Sequence, residues 1–111
     1  MPRTPVLGEF EQLVLLALVR LGADAYGATV SIEIEQQTGR PVSISAVHTT
    51  LDRLEEKGFV RSRLGEPTPQ RGGKRKRHYV VQPLGLRTLQ SSIRALKRMT
   101  DGIDDLLGEP T

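Results

Sequence analysis

The chain has 111 residues, 26% charged and 37% hydrophobic, with a formal net charge of +3, no cysteine and no tryptophan. That length supports one domain with one modest core. The lack of cysteine excludes disulfides and thiolate metal sites and fits a cytoplasmic setting. The longest apolar run, Leu13–Val19, is closed by Arg20 and falls far short of the ~20 residues that span a bilayer. Acidic Glu9 and Glu11 precede it where a signal peptide would carry basic residues, so no membrane partner is expected. Two tyrosines and two phenylalanines offer few stacking platforms, which argues against single-stranded nucleic acid as the main target.

Residues 1–7 hold two prolines and no periodicity and are expected to form a flexible arm. From Gly8 to Leu21, Phe10, Leu13, Val14, Ala17, Leu18 and Leu21 mark one helical face, while Leu15, Leu16 and Val19 make the opposite side apolar too. A helix apolar nearly all round has to be covered on both sides. The second cover is either a partner subunit or the last helix of the same chain. Gly22-Ala23-Asp24 then reads as a turn in which Asp24 caps a second helix, about Ala25–Thr38, stopped by Gly39 and Pro41. Within it Val30–Glu35 also alternates with a strand period, and the caps and the length favour helix. Residues 41–43 are expected to add a very short strand beside the hairpin that follows.

Val47, Leu51, Leu54 and Gly58 recur at helical spacing, with Ser43 or Ser45 as N-cap and Gly58 as the left-handed residue that stops the helix. Its other face carries Ser45, His48, Thr49, Asp52 and Arg53, small and hydrogen-bonding side chains suited to base edges in a major groove. Phe59–Leu64 and Arg77–Val81 then flank a Pro/Gly-rich loop, the signature of a hairpin with a long tip. A helix followed by a basic-tipped hairpin predicts a winged helix. Seven basic residues (Arg61, Arg63, Arg71, Lys74, Arg75, Lys76, Arg77) against Glu66 give residues 61–78 a net +6, leaving the rest of the chain at −3. Such a cluster is the electrostatic footprint of phosphate contact.

Pro83 suits a first helical position, and a long helix is expected to run from there to Leu107. Leu86, Leu89, Ile93, Leu96, Thr100, Ile103 and Leu107 keep the three-four rhythm of a coiled-coil seam. Together with the first helix this predicts a homodimer interface of Phe10, Leu15, Leu16, Val19, Leu86, Leu89, Ile93, Leu96, Ile103 and Leu107. The predicted fold class is mainly α with a small β-hairpin: a winged helix-turn-helix over residues 8–82, a dimerisation helix over 83–107 and a loose tail over 108–111.

Catalysis finds no support. His48 and His78 are the only histidines, so neither a Ser-His-Asp set nor a three-ligand zinc site assembles. Asp101, Asp104 and Asp105 lack calcium-loop spacing. Arg71-Gly72-Gly73 is not followed by the Gly-Lys-Ser/Thr of a P-loop. No cofactor and no metal are expected.

Leu7-Gly8-Glu9-Phe10-Glu11, Ala25-Tyr26-Gly27, Thr50–Gly58, Arg71–Arg77 and Pro83-Leu84-Gly85, in this order, resemble the PadR family of bacterial transcriptional regulators, short form, over about residues 7–100. The resemblance implies a homodimeric repressor, in a branch often associated with ABC-type export permeases, with Ser45–Lys57 as recognition helix and Tyr26-Gly27 near the DNA backbone. The resulting DNA-binding candidates are Tyr26, Gly27, Ser43, Ser45, His48, Thr49, Thr50, Arg53, Arg71, Lys74, Arg75, Lys76 and Arg77. His48 and His78 stand where the family usually has tyrosine, and Gln82 replaces its capping threonine. The tryptophan with which some members stack aromatic effectors is absent from the last helix, and no small-molecule effector is evident. The expected partner is double-stranded DNA with an inverted-repeat operator. The competing reading is a winged-helix module docking an acidic protein, with structured RNA as a variant. The polar outer face of the recognition helix favours DNA.

Overall fold

The structure is a computed structural model that describes residues 6–66 and 75–108. Helix α1 (Glu9–Leu21) leads through a 3-10 turn at Gly22–Asp24 into α2 (Gly27–Thr38) and α3 (Ile44–Glu56). The strands β1 (Val60–Leu64) and β2 (Arg77–Val81) follow, then α4 (Pro83–Thr100) and a single turn, α5 (Asp104–Leu107). The hairpin is antiparallel, with Val60 opposite Val81 and Leu64 opposite Arg77. This is the mainly helical winged helix that the sequence predicts.

Local chemistry sets the element ends. At α1, Glu11 Oε1 accepts a hydrogen bond from the Gly8 N–H at 2.9 Å, and Glu11 Oε2 also takes Lys57 Nζ at 2.8 Å, tying α1 to the end of α3. Partial burial works to raise the Glu11 carboxyl, but the bonds from Lys57 and Gly8 outweigh it and hold the group below the usual carboxylate range. Helix α2 starts later than expected. Asp24 closes the 3-10 turn and is not the cap; Tyr26 is the N-cap, and Thr29 Oγ1 accepts from the Tyr26 N–H at 3.0 Å. Ser43 does cap α3, its Oγ accepting from Ala46 N at 3.0 Å. The helix ends in a double turn in which Phe59 N–H reaches Leu54 O and Gly58 N–H reaches Glu55 O, with Gly58 at φ +80°. Leu54 and Phe59, at the two ends of that turn, are both buried in the core.

Leu15, Leu51, Leu54, Val14, Val30 and Val47 are fully buried, and α1 packs on α2, α3, β2 and α4. That embrace corrects two assignments to the dimer interface. Leu15 lies wholly inside its own subunit, and so does Leu89, which the first turns of α4 bury with Gly85 and Thr88. Phe10 is half-buried against the same core. Leu7, expected in a loose arm, is also a core residue. Gly85 is where α4 meets the body. A Cβ there would lie 2.2 Å from Phe59 O, closer than any side chain can approach.

Two further expectations fail for local reasons. Residues 41–43 form no strand; the third position of the sheet is taken by residues 25–26, with Tyr79 N–H donating to Ala25 O at 2.9 Å and a bridge between Tyr26 and His78. The helix expected to reach Leu107 ends at Thr100, because Asp101 is extended and Gly102 adopts φ +81°. Ile103 and Leu107 therefore lie beyond a break in the seam. No helix among the described residues is long and apolar enough to cross a membrane.

Candidate nucleic-acid interface

Helix α3 presents the platform. Val47, Thr50, Leu51 and Leu54 face the core, which removes Thr50 from the candidate contacts: its side chain points inward. Ser45, His48, Thr49, Asp52 and Arg53 are exposed on the opposite side. Thr49 Oγ1 donates to Ser45 O at 3.1 Å, leaving its oxygen lone pairs and methyl outward. Ile44, 49% exposed in the first turn, adds an aliphatic group that the sequence reading passes over; its position directly after the cap is the available signal.

The start of α2 lies beside this face. The His48 ring packs on Gly27 so closely that a Cβ at Gly27 would stand 2.5 Å from His48 Nε2. Any residue but glycine would displace the imidazole. Next to it, the Tyr26 hydroxyl accepts from Lys76 Nζ at 3.1 Å, the same ammonium stands 4.3 Å from the centre of the tyrosine ring, and the His78 ring meets Tyr26 edge-on at 5.4 Å. Lys76 is thereby drawn from the hairpin toward the N-terminal end of α2, where unpaired backbone N–H groups and the helix dipole favour an anion.

The remaining hairpin cations are partly anchored. Arg75 Nε donates to Gly65 O at 2.8 Å and Arg77 Nη1 to Ser62 Oγ at 3.1 Å. Ser62 in turn donates both its hydroxyl and its N–H to Glu55 Oε2, so a carboxylate of α3 holds β1 in place. Tyr79, on the buried side of β2, has its phenol pushed up by burial, with Asp52 adding to the effect, and stays neutral. The candidates Arg71 and Lys74 lie outside the described residues. Ser43 serves as the α3 cap.

The structure thus brings the outer face of α3, the start of α2 and the base of the hairpin into one polar, cationic surface. Among the described residues no three His, Cys, Asp or Glu side chains gather to hold a metal ion.

The architecture is a winged helix with an added C-terminal helix. No protein-family model matches the chain and no curated protein sequence matches it. Solved structures do. A PadR family transcriptional regulator from Eggerthella lenta DSM 2243 is similar at 26% identity, over 92% of this chain and 88% of that one, with a TM-score of 0.65. A PadR-like transcriptional regulator from Bacillus cereus strain ATCC 14579 is similar at 17% identity, over 91% and 93%, with a TM-score of 0.71. A PadR family transcription regulator from Clostridium difficile R20291 is similar at 18% identity, over 91% and 100%, with a TM-score of 0.70. The fold is that of a PadR-like winged-helix regulator.

Proposed function

We propose that the protein is a sequence-specific, duplex DNA-binding transcriptional regulator that acts as a homodimeric repressor of a nearby operon, with transport or export genes as the candidate targets. The observation that carries this reading is the outer face of α3: a helix fixed at both ends, with Ser45, His48, Thr49, Asp52 and Arg53 outward and the base of a basic hairpin beside it. Hydrogen-bonding side chains on a fixed helix suit base edges, while charge on long side chains suits phosphates. The face carries one large exposed aliphatic residue, Ile44, and no apolar stripe that would favour a protein partner. Thr49 and Arg53 are assigned to bases. His48, leaning on Gly27, is assigned to the phosphate that the start of α2 attracts.

Support for the dimer comes from α4. Its second half leaves the body with Ile93 40%, Leu96 60% and Met99 76% exposed, and Leu16 and Val19 of α1 are open as well. The radius of gyration is 16.1 Å, against ~13 Å for a compact chain of this length. A helix with exposed apolar side chains along one stripe calls for a partner, and a second copy would set two recognition helices about a two-fold axis.

The test is transcription in vitro from the promoter upstream of the protein's own reading frame. Wild-type protein should lower the transcript. I93D/L96D, which should sediment as a monomer because its charges would face apolar surface, should not. An unchanged transcript with wild-type protein, or an intact dimer of the double variant, contradicts the reading.

A further inference from the structure

The outward side of the hairpin carries two cations of the basic cluster, Arg61 and Arg63, that are not among the DNA-binding candidates. Arg61 and Arg63 alternate on that side of β1, opposite Val80 and His78 of β2, while Ser62 faces α3 through Glu55. The 3-10 turn closes the edge of this sheet. A concavity of about 450 Å³ results, lined by Gly22, Ala23 and residues 61–63 and 78–80 of the two strands. That volume lies in the range of small-ligand clefts.

Among the described residues the lining is cationic and uncompensated. The ion pairs among the described residues engage Arg20, Arg40 and Lys57, and no carboxylate among those residues lies within salt-bridge distance of Arg61 or Arg63. The His78 wall is preformed. Its Nδ1 lies 3.1 Å from Ala23 O, so it donates there, and the ring is wedged between Tyr26 and Gly65, where a Cβ would come within 3.0 Å of it. Val80, 54% exposed, supplies an apolar floor. Two guanidinium groups two residues apart on one strand face present paired donors to the oxygens of one anion.

We propose that this concavity binds a small organic anion, a carboxylate or phosphate monoester with a compact apolar body, its charged head on Arg61 and Arg63 and its body on Val80. The site lies on the outward side of the hairpin, where its His78 wall adjoins Tyr26 of the candidate DNA surface, so the test has to separate the two arginines from the DNA contact.

The experiment is an NMR titration of the full chain with phenyl phosphate, with benzyl alcohol as the neutral control, following the imidazole signals. The chain has two histidines; His78 lines the concavity and also touches Tyr26, so its shift together with the response of an arginine variant reports the location. Phenyl phosphate should saturate and move His78 but not His48, and R61Q/R63Q should weaken it by about tenfold or more. Both side chains are exposed, so the variant should melt like the parent. Equal binding of benzyl alcohol, unchanged affinity in the double variant, or a shift confined to His48 would overturn the proposal. So would a variant that loses affinity for duplex DNA when the parent shows no binding of phenyl phosphate, since the arginines would then belong to the DNA contact.

Discussion

The outer face of α3 and the base of the hairpin both offer hydrogen-bond donors to a polyanion, yet they are held in different ways. Helix α3 is capped by Ser43, stopped at Gly58 and anchored by three fully buried residues, Val47, Leu51 and Leu54. Its exposed side chains therefore start from a fixed backbone. The hairpin cations Arg75, Lys76 and Arg77 sit at or just beyond the end of a five-residue ladder and are steadied by single hydrogen bonds to Gly65, Tyr26 and Ser62. Fixed geometry discriminates between bases, whereas charge on longer tethers attracts phosphate whatever the sequence.

The comparison breaks most completely if the platform itself is loosened. Leu51→Ala should cost ~2–5 kcal/mol of stability in a urea melt, the usual range for a fully buried leucine, and should abolish operator recognition along with it. Thr49→Ala sharpens the contrast. Operator affinity should fall by ~1–3 kcal/mol while affinity for random duplex stays nearly constant, and equal losses on both would move Thr49 to the phosphate class. A double change of Arg75 and Lys76 to glutamine is the converse. Both duplexes should weaken alike, and the slope of log K against log salt should flatten by up to ~0.9 for each phosphate that is no longer neutralised. Retained affinity without preference for the operator would reverse the roles.

The smallest effect concerns the brace beneath the platform. Glu11, held below its ordinary range, contributes stability that is present above its unfolded pKa of ~4.3 and is lost as pH falls through the folded value. The melting temperature of the wild type should therefore drop more than that of Glu11→Gln between about pH 6 and about pH 3. Parallel curves would show that the link to Lys57 contributes nothing.

Much of α3 and the hairpin is legible in the sequence because the signals are local: a serine cap, a glycine stop, alternation on either side of a Pro/Gly loop. The misreadings share another cause. The resemblance alone places Thr50 among the DNA-binding candidates, although it lies three residues after Val47 and four before Leu54, on the apolar side of the helix. Pattern alone places Leu15 and Leu89 in a dimer interface, and a pattern cannot say whether the cover is the same chain or another. The seam running on to Leu107 conceals the Asp101-Gly102 stop, since Ile103 and Leu107 keep the period across a break in the backbone. The pairing of residues 25–26 with β2, and the contact of His48 with Gly27, join segments far apart in sequence and leave no local trace.

The central claim, that a fixed polar helix on a two-fold dimer reads duplex DNA, is tested most directly by selection from a random duplex library followed by sequencing. The account predicts enrichment of an inverted repeat whose half-site centres lie about one helical turn, ~10 bp, apart, with the preference weakened by Thr49→Ala and preserved in the Arg75 and Lys76 double variant. A library that emerges without enrichment, or with one unrepeated asymmetric site, would contradict it.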